Sequence, residues 1–171
     1  MNTIKLRPII TVEEKNTFVS EIQEAFQISY VSEFGEFEKQ VLPTEDIEES
    51  FNAKGAEAYI AEIGGERIGG AVIVIDDKTG YNSLHLLYVK SSAQNAGNGF
   101  KIWKAIEELH PETRIWETHT PYYDKRNIHF YVNKCGFHIV EFLNEKNPGL
   151  DMPEDFIGDG GQGMFVFRKQ M

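Results

Sequence analysis

A polar loop rich in small residues, residues 90–99, carries the clearest chemical signal in the sequence. It follows the apolar run at residues 84–89 and leads into residues 99–109, whose apolar side chains recur at helical spacing. The first amide N–H groups of a helix have no partner within the helix, and the helix dipole favours negative charge at that end. Glycines in the loop let an anion approach those amides closely, because they carry no side chain. This order of strand, loop and helix predicts an anion site that suits a phosphate group.

Tyr131 is a second candidate for chemistry. It lies in residues 127–137, a segment that follows Asp124, a residue type typical of helix N-caps, and contains Gly136, typical of helix ends. A phenol is neutral at pH 7 and can donate a proton to a leaving group. The alternative is that Tyr131 is a packed aromatic side chain without a chemical role.

Both segments resemble signature motifs of the GCN5-related N-acetyltransferase (GNAT) superfamily. The spacing Val89-x-x-x-x-Gln94-x-x-Gly97-x-Gly99 is similar to the loop that cradles the pyrophosphate of acetyl-coenzyme A in that family. Residues 127–137, Asn-Ile-His-Phe-Tyr-Val-Asn-Lys-Cys-Gly-Phe, are similar to its second hallmark, a helix that feeds the following strand. The motifs occur in the family's order, and the resemblance covers nearly the whole chain.

The resemblance implies the acyl-CoA N-acyltransferase fold. This is an α/β (α+β) fold with a mixed, mostly antiparallel seven-stranded sheet that is split at its central strands and flanked by helices. The element order that we infer from the sequence, β-α-α-β-β-β-α-β-α-β-β, is also that of the family. We expect one domain over residues 1–171, a length that can bury a full core.

Acetyl-CoA is the cosubstrate that the resemblance implies. Its pantetheine arm would pair with the backbone of Leu87 and Val89, and its pyrophosphate would bind the loop amides. The implied donor-binding residues are Leu87, Val89, Gln94, Asn95, Ala96, Gly97, Asn98, Gly99, Asn127 and Lys134. The loop lacks the arginines of many relatives, so one of Lys90, Lys101 and Lys134 is expected to meet the phosphates. Asp124 occupies a place often held by asparagine.

Tyr131 matches the tyrosine that in many family members protonates the departing thiolate of coenzyme A. The acceptor amine must also lose a proton, and His85 is the first candidate for this base because it shares a strand face with Leu87 and Val89 by alternation. Glu117 and His119 are alternatives, as is a chain of water molecules with no dedicated base. A structural role for His85 also remains open.

The implied activity is transfer of the acetyl group of acetyl-CoA to a primary amine of a small molecule or peptide, directly in a ternary complex. The alternatives are a non-catalytic acyl-CoA sensor and a protein-interaction domain on the same fold. The acidic segment at residues 33–49 favours a cationic acceptor, or is a solvated face. Trp116, Tyr122 and Tyr123 are candidates to line the acceptor pocket. Homodimers are common in the family, and the apolar last strand is compatible with one.

Composition narrows the partners and the compartment. A net charge of −10 and a pI near 5.0 argue against nucleic acid or an anionic membrane as the main partner. Cys135 is the only cysteine, so no disulfide framework is expected. No metal site is expected either, because no metal-ligand spacing occurs. Without a signal peptide or a long apolar run, the expected location is cytoplasmic.

Further elements follow from periodicity and turn residues. A capping box, Thr11-x-x-Glu14, opens the first helix, which is expected to reach Tyr30. Two short helices around a mobile loop are predicted between residues 29 and 50. The remaining predictions are strands at residues 4–10, 58–63, 67–75, 84–89, 113–118, 137–142 and 164–167, a hairpin turn at 64–66, and a long loop at 144–163.

Overall fold

The computed structural model describes residues 3–148 and 163–171. The chain forms two compact units. The first comprises the chain up to Asp76 together with Leu84–Pro111, and the second comprises Asp77–Ser83 and the chain from Glu112 onward. The expectation of one domain over residues 1–171 stays a prediction.

The described residues form seven strands in one sheet and four α-helices, which confirms the predicted α/β class and element order. The sheet order is β1-β2-β3-β4-β5-β7-β6. One pair is parallel, β4 with β5, and its register comprises three residue pairs at the start of both strands. The strands are β1 (Ile4–Pro8), β2 (Ala56–Ile63), β3 (Glu66–Val74), β4 (Tyr81–Val89), β5 (Ile115–Pro121), β6 (His138–Leu143) and β7 (Met164–Gln170); the helices are α1 (Val12–Phe34), α2 (Thr44–Asn52), α3 (Asn98–Leu109) and α4 (Lys125–His129).

The predicted capping box begins α1. The Thr11 side chain accepts a hydrogen bond from the backbone N–H of Glu14 (3.1 Å), and the Glu14 carboxylate accepts from the N–H groups of Thr11 (3.4 Å) and Ile10 (2.9 Å). The helix continues to Phe34, one turn beyond the predicted end, and Gly35 follows with a φ of +88°. Both ends of α1 are thus set by local sequence signals.

The prediction of two short helices between residues 29 and 50 is wrong. Residues up to Phe34 belong to α1, and α2 is the single separate helix in this stretch. Side chains of α1 hold the intervening segment: the Gln27 amide donates to the carbonyl of Lys39 (3.1 Å) and accepts from the N–H of Val41 (3.0 Å). These hydrogen bonds satisfy backbone groups that a helix would otherwise have paired.

The core of the first unit joins α1, α2, β3 and β4. Phe18 of α1 makes an edge contact with Tyr88 of β4, with ring centroids 5.0 Å apart. Adjacent glycines on β3 allow close approach from both faces: a Cβ on Gly70 would lie 2.8 Å from Cε2 of Phe18, and a Cβ on Gly69 would lie 3.2 Å from Cδ1 of Ile102 in α3. The core cluster contains Phe18, Ile22, Ala25, Ile47, Val72, Leu86 and Tyr88.

β4 begins at Tyr81, three residues before the predicted start at residue 84. The polar residues there concealed the strand, although Asn82 is buried and its amide donates to the hydroxyl of Thr113 (2.7 Å). A buried amide side chain that is hydrogen-bonded is compatible with a strand interior.

The second unit contains the antiparallel strands β5, β7 and β6, the short helix α4 and the π-helical turn Phe130–Lys134 that follows it. Phe137 and Phe167 are almost fully buried. The last predicted strands are confirmed with slightly shifted bounds, but β6 does not alternate in burial, since all of its residues except Leu143 are exposed. The predicted loop at residues 144–163 lies mostly outside the described residues.

Among the helices of the described chain, none is both long and apolar enough to cross a membrane.

Glu14 should make the stability of the protein depend on acidic pH. Hydrogen bonds from Ile10, then Arg7 and Thr11, lower the pKa of Glu14 from 4.5 to about 2. A lowered folded-state pKa contributes stability that is complete above about pH 4.5 and is lost as the pH falls toward about 2. Urea denaturation should therefore show a lower free energy of unfolding for Glu14→Gln than for wild type near neutral pH. This difference in free energy should become smaller as the pH falls. Glu13→Gln, in the same turn, is the control, and an equal gap for both variants at all pH values would contradict this assignment.

Candidate active site

The loop after β4 has a well-defined backbone. The N–H of Lys90 donates to the carbonyl of Ile68 on β3 (2.8 Å), and the carbonyl of Lys90 accepts from the N–H of Ala93 (2.8 Å) to close the 3₁₀ turn Ser91–Ala93. The chain then turns into α3 at Gly97, whose φ of +73° and ψ of +13° are left-handed. The predicted order of strand, loop and helix is therefore present.

Two polar side chains of the loop donate hydrogen bonds to backbone carbonyls at its start and within it. The amide of Gln94 donates to the carbonyl of Val89 (3.2 Å), and the buried amide of Asn98 donates to the carbonyl of Ala93 (2.8 Å). Asn95 has a φ of +66°, which is uncommon for a residue with a side chain. The first backbone amides of α3 have no carbonyl partner within the helix.

Gly97 lies beneath open space. A Cβ built on Gly97 would have no atom within 4 Å, so packing does not require glycine at this position. The left-handed backbone does favour it, because other residues adopt this conformation at a cost of about 1 kcal/mol. Exposed Gly97 and Ala96, with amides at a helix N-terminus behind them, fit a phosphate-bearing ligand. The remaining loop residue, Gly99, lies in the first turn of α3.

The three lysines proposed for phosphates differ in their surroundings. The Lys90 ammonium lies 3.8 Å from Oε1 of Glu21 on α1, and its side chain is about one-third exposed. Lys101 and Lys134 are exposed. Leu87 and Val89 are half-buried on β4, and the carbonyl of Val89 is the group that accepts from the Gln94 amide.

Tyr131 is buried in the π-helical turn. The N–H of Cys135 donates to the carbonyl of Phe130 (3.0 Å), a spacing of five residues that marks the π geometry, and such turns occur frequently at functional sites. The Tyr131 ring packs 5.6 Å from Phe137 and 5.7 Å from Phe167, measured between centroids. No feature of the sequence pattern indicated the π turn.

The phenol of Tyr131 keeps its proton far above neutral pH. Burial raises its pKa most, the neighbouring Cys135 and Asp124 raise it further, and a hydrogen bond with the Thr118 hydroxyl lowers it. A neutral phenol with a raised pKa can donate a proton and is a poor base.

Asp124 is the N-cap of α4. Its carboxylate accepts from the backbone N–H of Asn127 (3.0 Å) and from the Asn127 side-chain amide (2.9 Å). The predicted donor-binding residue Asn127 thus has its side-chain N–H engaged by the cap, and its side-chain oxygen is the group that a donor could meet.

The candidate bases lie in different settings. His85 is exposed on β4, with Nδ1 3.4 Å from the hydroxyl of Ser50 on α2. In the second unit, Glu117 accepts a hydrogen bond from Nε of Arg168 on β7 (2.8 Å), and its other oxygen lies 3.8 Å from Nε2 of His119. Sequence analysis missed Arg168, because strand pairing alone brings it opposite Glu117.

The environment of His119 lowers the pKa of its imidazole, although about one-third of the side chain, 34%, is exposed. Burial lowers its pKa most; Glu117 opposes this, Arg168 adds to it and Glu141 opposes it. A neutral imidazole beside an oriented carboxylate can accept a proton at physiological pH.

The aromatic residues predicted to line the acceptor pocket differ in burial: Trp116 lies in the core, which excludes it from a pocket surface, whereas Tyr122 is exposed. Trp116 is fully buried, and Tyr122 stacks edge-on with Tyr123 at 6.0 Å. Cys135 is buried, as expected for a small apolar residue. Within the described ranges, no three His, Cys, Asp or Glu side chains are grouped to hold a metal ion.

Comparison with known proteins identifies the family. The model of the acetyltransferase (GNAT) family matches residues 19–137, from α1 through the loop at residues 90–99 and Tyr131 to Phe137. The chain belongs to this acetyltransferase family. Membership indicates acyl transfer as the general chemistry and confirms the resemblance that the two motifs carry.

Similar proteins align with most of this chain. Uncharacterized protein YrkN of Bacillus subtilis (strain 168) is 51% identical over 136 residues, which cover 79% of this chain and 74% of YrkN. A Bacillus subtilis acetyltransferase solved in complex with CoA has a TM-score of 0.66 at 19% identity and covers 100% of this chain and 99% of that one. Spermidine N-acetyltransferase from Vibrio cholerae, solved with CoA and spermine, has a TM-score of 0.68 at 13% identity, with coverage of 98% and 95%. These structural similarities confirm the fold.

The raised pKa of Tyr131 can be measured directly. At about pH 10, where an ordinary tyrosine is half ionised, the ultraviolet difference between wild type and Tyr131→Phe should show no phenolate absorbance, because burial disfavours the charged form. In urea the same difference should show phenolate, which is the control. A full phenolate signal from the folded protein would contradict the assignment.

Proposed function

We propose that this GNAT protein is an acetyl-CoA-dependent N-acetyltransferase that transfers the acetyl group to a primary amine directly in a ternary complex. The observation that carries the proposal is the loop before α3, where left-handed Gly97 lies under open space at the N-terminus of the helix and the side chains of Gln94 and Asn98 hydrogen-bond within the loop. The family match supports acyl transfer as the reaction class.

In this proposal the amides of residues 94–99 bind the pyrophosphate of acetyl-CoA, and Lys134 contributes a cation. The backbone of Leu87 and Val89 pairs with the pantetheine arm, as a further strand would. Asn127 contacts the same arm. The strongly acidic chain can hold this anionic donor because backbone dipoles at a helix N-terminus act at short range.

The proposed transfer forms a carbon–nitrogen bond, breaks a carbon–sulfur bond and moves two protons. The amine nitrogen attacks the thioester carbonyl carbon, the carbon–sulfur bond breaks, and Tyr131 donates its proton to the thiolate. A backbone N–H near Val89 stabilises the carbonyl oxygen as it gains charge. The proton that the amine loses passes to a base or to water.

Three residues remain candidates for this base. His85 is exposed and has a hydroxyl neighbour in Ser50, so it is open to an acceptor. The carboxylate of Glu117 is paired with Arg168 and lies 3.8 Å from Nε2 of His119, where it can orient that ring. The pairing of Glu117 with a neutral His119 favours His119 within the second unit.

A cationic amine is the proposed acceptor. Glu45 and Glu49 are exposed on α2, whereas Glu48 pairs with Lys15 at 2.7 Å. This carboxylate surface and the negative net charge attract a polyamine or a lysine side chain. The fold shared with a spermidine N-acetyltransferase makes spermidine a suitable first probe. A homodimer in the cytoplasm completes the proposal; nucleic acid, membrane and metal have no part in it.

The alternative function is a non-catalytic acyl-CoA sensor or interaction domain. Exposed apolar residues on β6, including Ile139 and Val140, favour an interaction surface of this kind. Turnover separates the two functions, because a sensor binds acetyl-CoA without consuming it.

Gly97→Glu should abolish or strongly weaken acetyl-CoA binding. A carboxylate placed over the loop repels the pyrophosphate, and at a separation of about 4 Å this repulsion is worth about 1–4 kcal/mol, or about fivefold to nearly a thousandfold in affinity. Isothermal titration with acetyl-CoA measures the effect. Gly64→Glu is a matched control, since Gly64 also has a positive φ, +58°, and also faces open space. Equal affinity of both variants would contradict the loop as donor site, and absence of wild-type binding would contradict the proposed function.

Tyr131→Phe should lower kcat by about 10²–10⁴ with little change in the KM for acetyl-CoA, because the ring packing is retained and only the acid is removed. Thiol release with spermidine, a lysine-containing peptide and kanamycin as acceptors measures turnover. An unchanged kcat would contradict the acid role. Binding of acetyl-CoA without turnover of any acceptor would favour the sensor.

A further inference from the structure

Three polar groups converge on the carboxylate of Glu21, a residue of α1 that has no part in the proposed chemistry. The hydroxyl of Tyr88 donates to Oε2 (2.6 Å), Nε of Arg67 lies 3.2 Å from Oε1, and the ammonium of Lys90 lies 3.8 Å from the same oxygen. The Glu21 side chain is 15% exposed. A partly buried carboxylate with charged donors makes stronger interactions than an exposed one.

These partners occupy the point where β4 ends and the loop begins. Tyr88 is the next-to-last residue of β4, Lys90 is the first residue of the loop, and Arg67 lies on the neighbouring strand β3. The backbone of Lys90 also donates to Ile68 and accepts from Ala93. One carboxylate of α1 therefore joins three elements of the first unit at the entrance to the loop.

Loss of the Glu21 charge would disturb this point in two ways. The Tyr88 residue is 3% exposed, so its hydroxyl would keep at best a weaker partner in a place that water reaches poorly. Arg67 and Lys90 would become two cations held close together without a counter-charge. Both effects favour displacement of Lys90 and of the turn that it closes.

We propose that Glu21 is a positioning residue that holds the start of the donor loop, through Tyr88, Arg67 and Lys90, in the conformation that binds the acyl donor. The inference rests on the proposed function, because it takes residues 90–99 as the donor site. A loop that occupies the binding conformation for only a fraction of the time binds with an affinity reduced by that fraction.

Simple charge attraction predicts the opposite sign. Removing a carboxylate makes the neighbourhood of the loop more positive, which would strengthen the binding of anionic acetyl-CoA if attraction alone mattered. Salt screens such attraction over about 8–10 Å, whereas a displaced loop loses its hydrogen bonds to the ligand at any ionic strength. The sign of the change therefore separates positioning from attraction.

The test is isothermal titration of Glu21→Gln with acetyl-CoA, at a temperature where circular dichroism shows the variant folded. We expect binding about tenfold weaker than wild type, as for a loop with about one-tenth occupancy of its binding conformation. Glu62→Gln is the matched control. Its ion pair with Arg7 has side-chain exposures of 17% and 34%, against 15% and 31% for Glu21 and Arg67, and the Glu62 carboxylate accepts its hydrogen bond from Arg7 on β1. Glu62 also lies opposite Arg67 in the β2–β3 register, so this control tests whether loss of a carboxylate near Arg67 is enough by itself. Glu62→Gln should bind as wild type does.

Hydrogen exchange provides a readout that needs no ligand. The amides of Lys90 and Ala93, which are hydrogen-bonded in the loop, should exchange faster in Glu21→Gln than in Glu62→Gln. Tyr88→Phe removes a single hydroxyl and serves if Glu21→Gln does not fold; it should show the same changes at about threefold in affinity.

Unchanged or tighter binding by Glu21→Gln, or equal weakening by Glu62→Gln, would overturn the inference. If wild type fails to bind acetyl-CoA, the proposed function fails instead, and exchange then decides the positioning role alone: unchanged exchange at Lys90 and Ala93 would overturn it.

Discussion

The approach of two helices to opposite faces of β3 is the constraint on which the first unit depends. Neither Gly69 nor Gly70 can carry a side chain, because a Cβ on Gly69 would lie 2.2 Å from the carbonyl oxygen of Tyr88 and one on Gly70 would lie 2.8 Å from the Phe18 ring. Because protein interiors are closely packed, the elements that contact these glycines have well-defined positions. α1, α3 and the end of β4 are located together, and the loop between β4 and α3 has little choice of path.

This placement explains how an acidic chain can offer an anion site. The amides of Gln94 and Asn98 are used to shape the loop, and Lys90 lies beside Glu21, so the predicted side chains other than Lys134 add little positive charge to the proposed donor site. The helix N-terminus supplies it through backbone N–H groups, whose direction is fixed by the helix. Overall charge and local electrostatics are thus independent, and the net charge of −10 remains available to attract a cationic acceptor.

In the second unit, burial shifts the pKa values of the candidate catalytic groups Tyr131 and His119. Burial among Phe137, Phe167 and Thr118 raises the pKa of Tyr131, because a phenolate there would lose hydration, and partial burial lowers the pKa of His119. The pairing of Glu117 with Arg168 shows how a sheet assembles a polar group from distant strands. Packing therefore shifts the pKa of Tyr131 and that of His119 further toward the neutral form, which each ordinary side chain already favours at pH 7.

Local signals in the sequence determined the family, the order of the elements, the capping box at Thr11, the N-cap at Asp124 and the glycine loop, because each depends on residues close together in the chain. Tertiary structure alone decided the rest. The polar start of β4 became a strand because Asn82 finds Thr113, the segment after Phe34 stayed non-helical because Gln27 pairs its backbone, and Tyr131 lies in a π turn that no spacing indicated. The groups around Glu21 and Glu117 could not be inferred either. The hydrogen-bond donors to Glu21 and Glu117, which are Tyr88 and Arg168, lie 67 and 51 residues away in sequence, and only packing brings such residues within hydrogen-bond distance of each other.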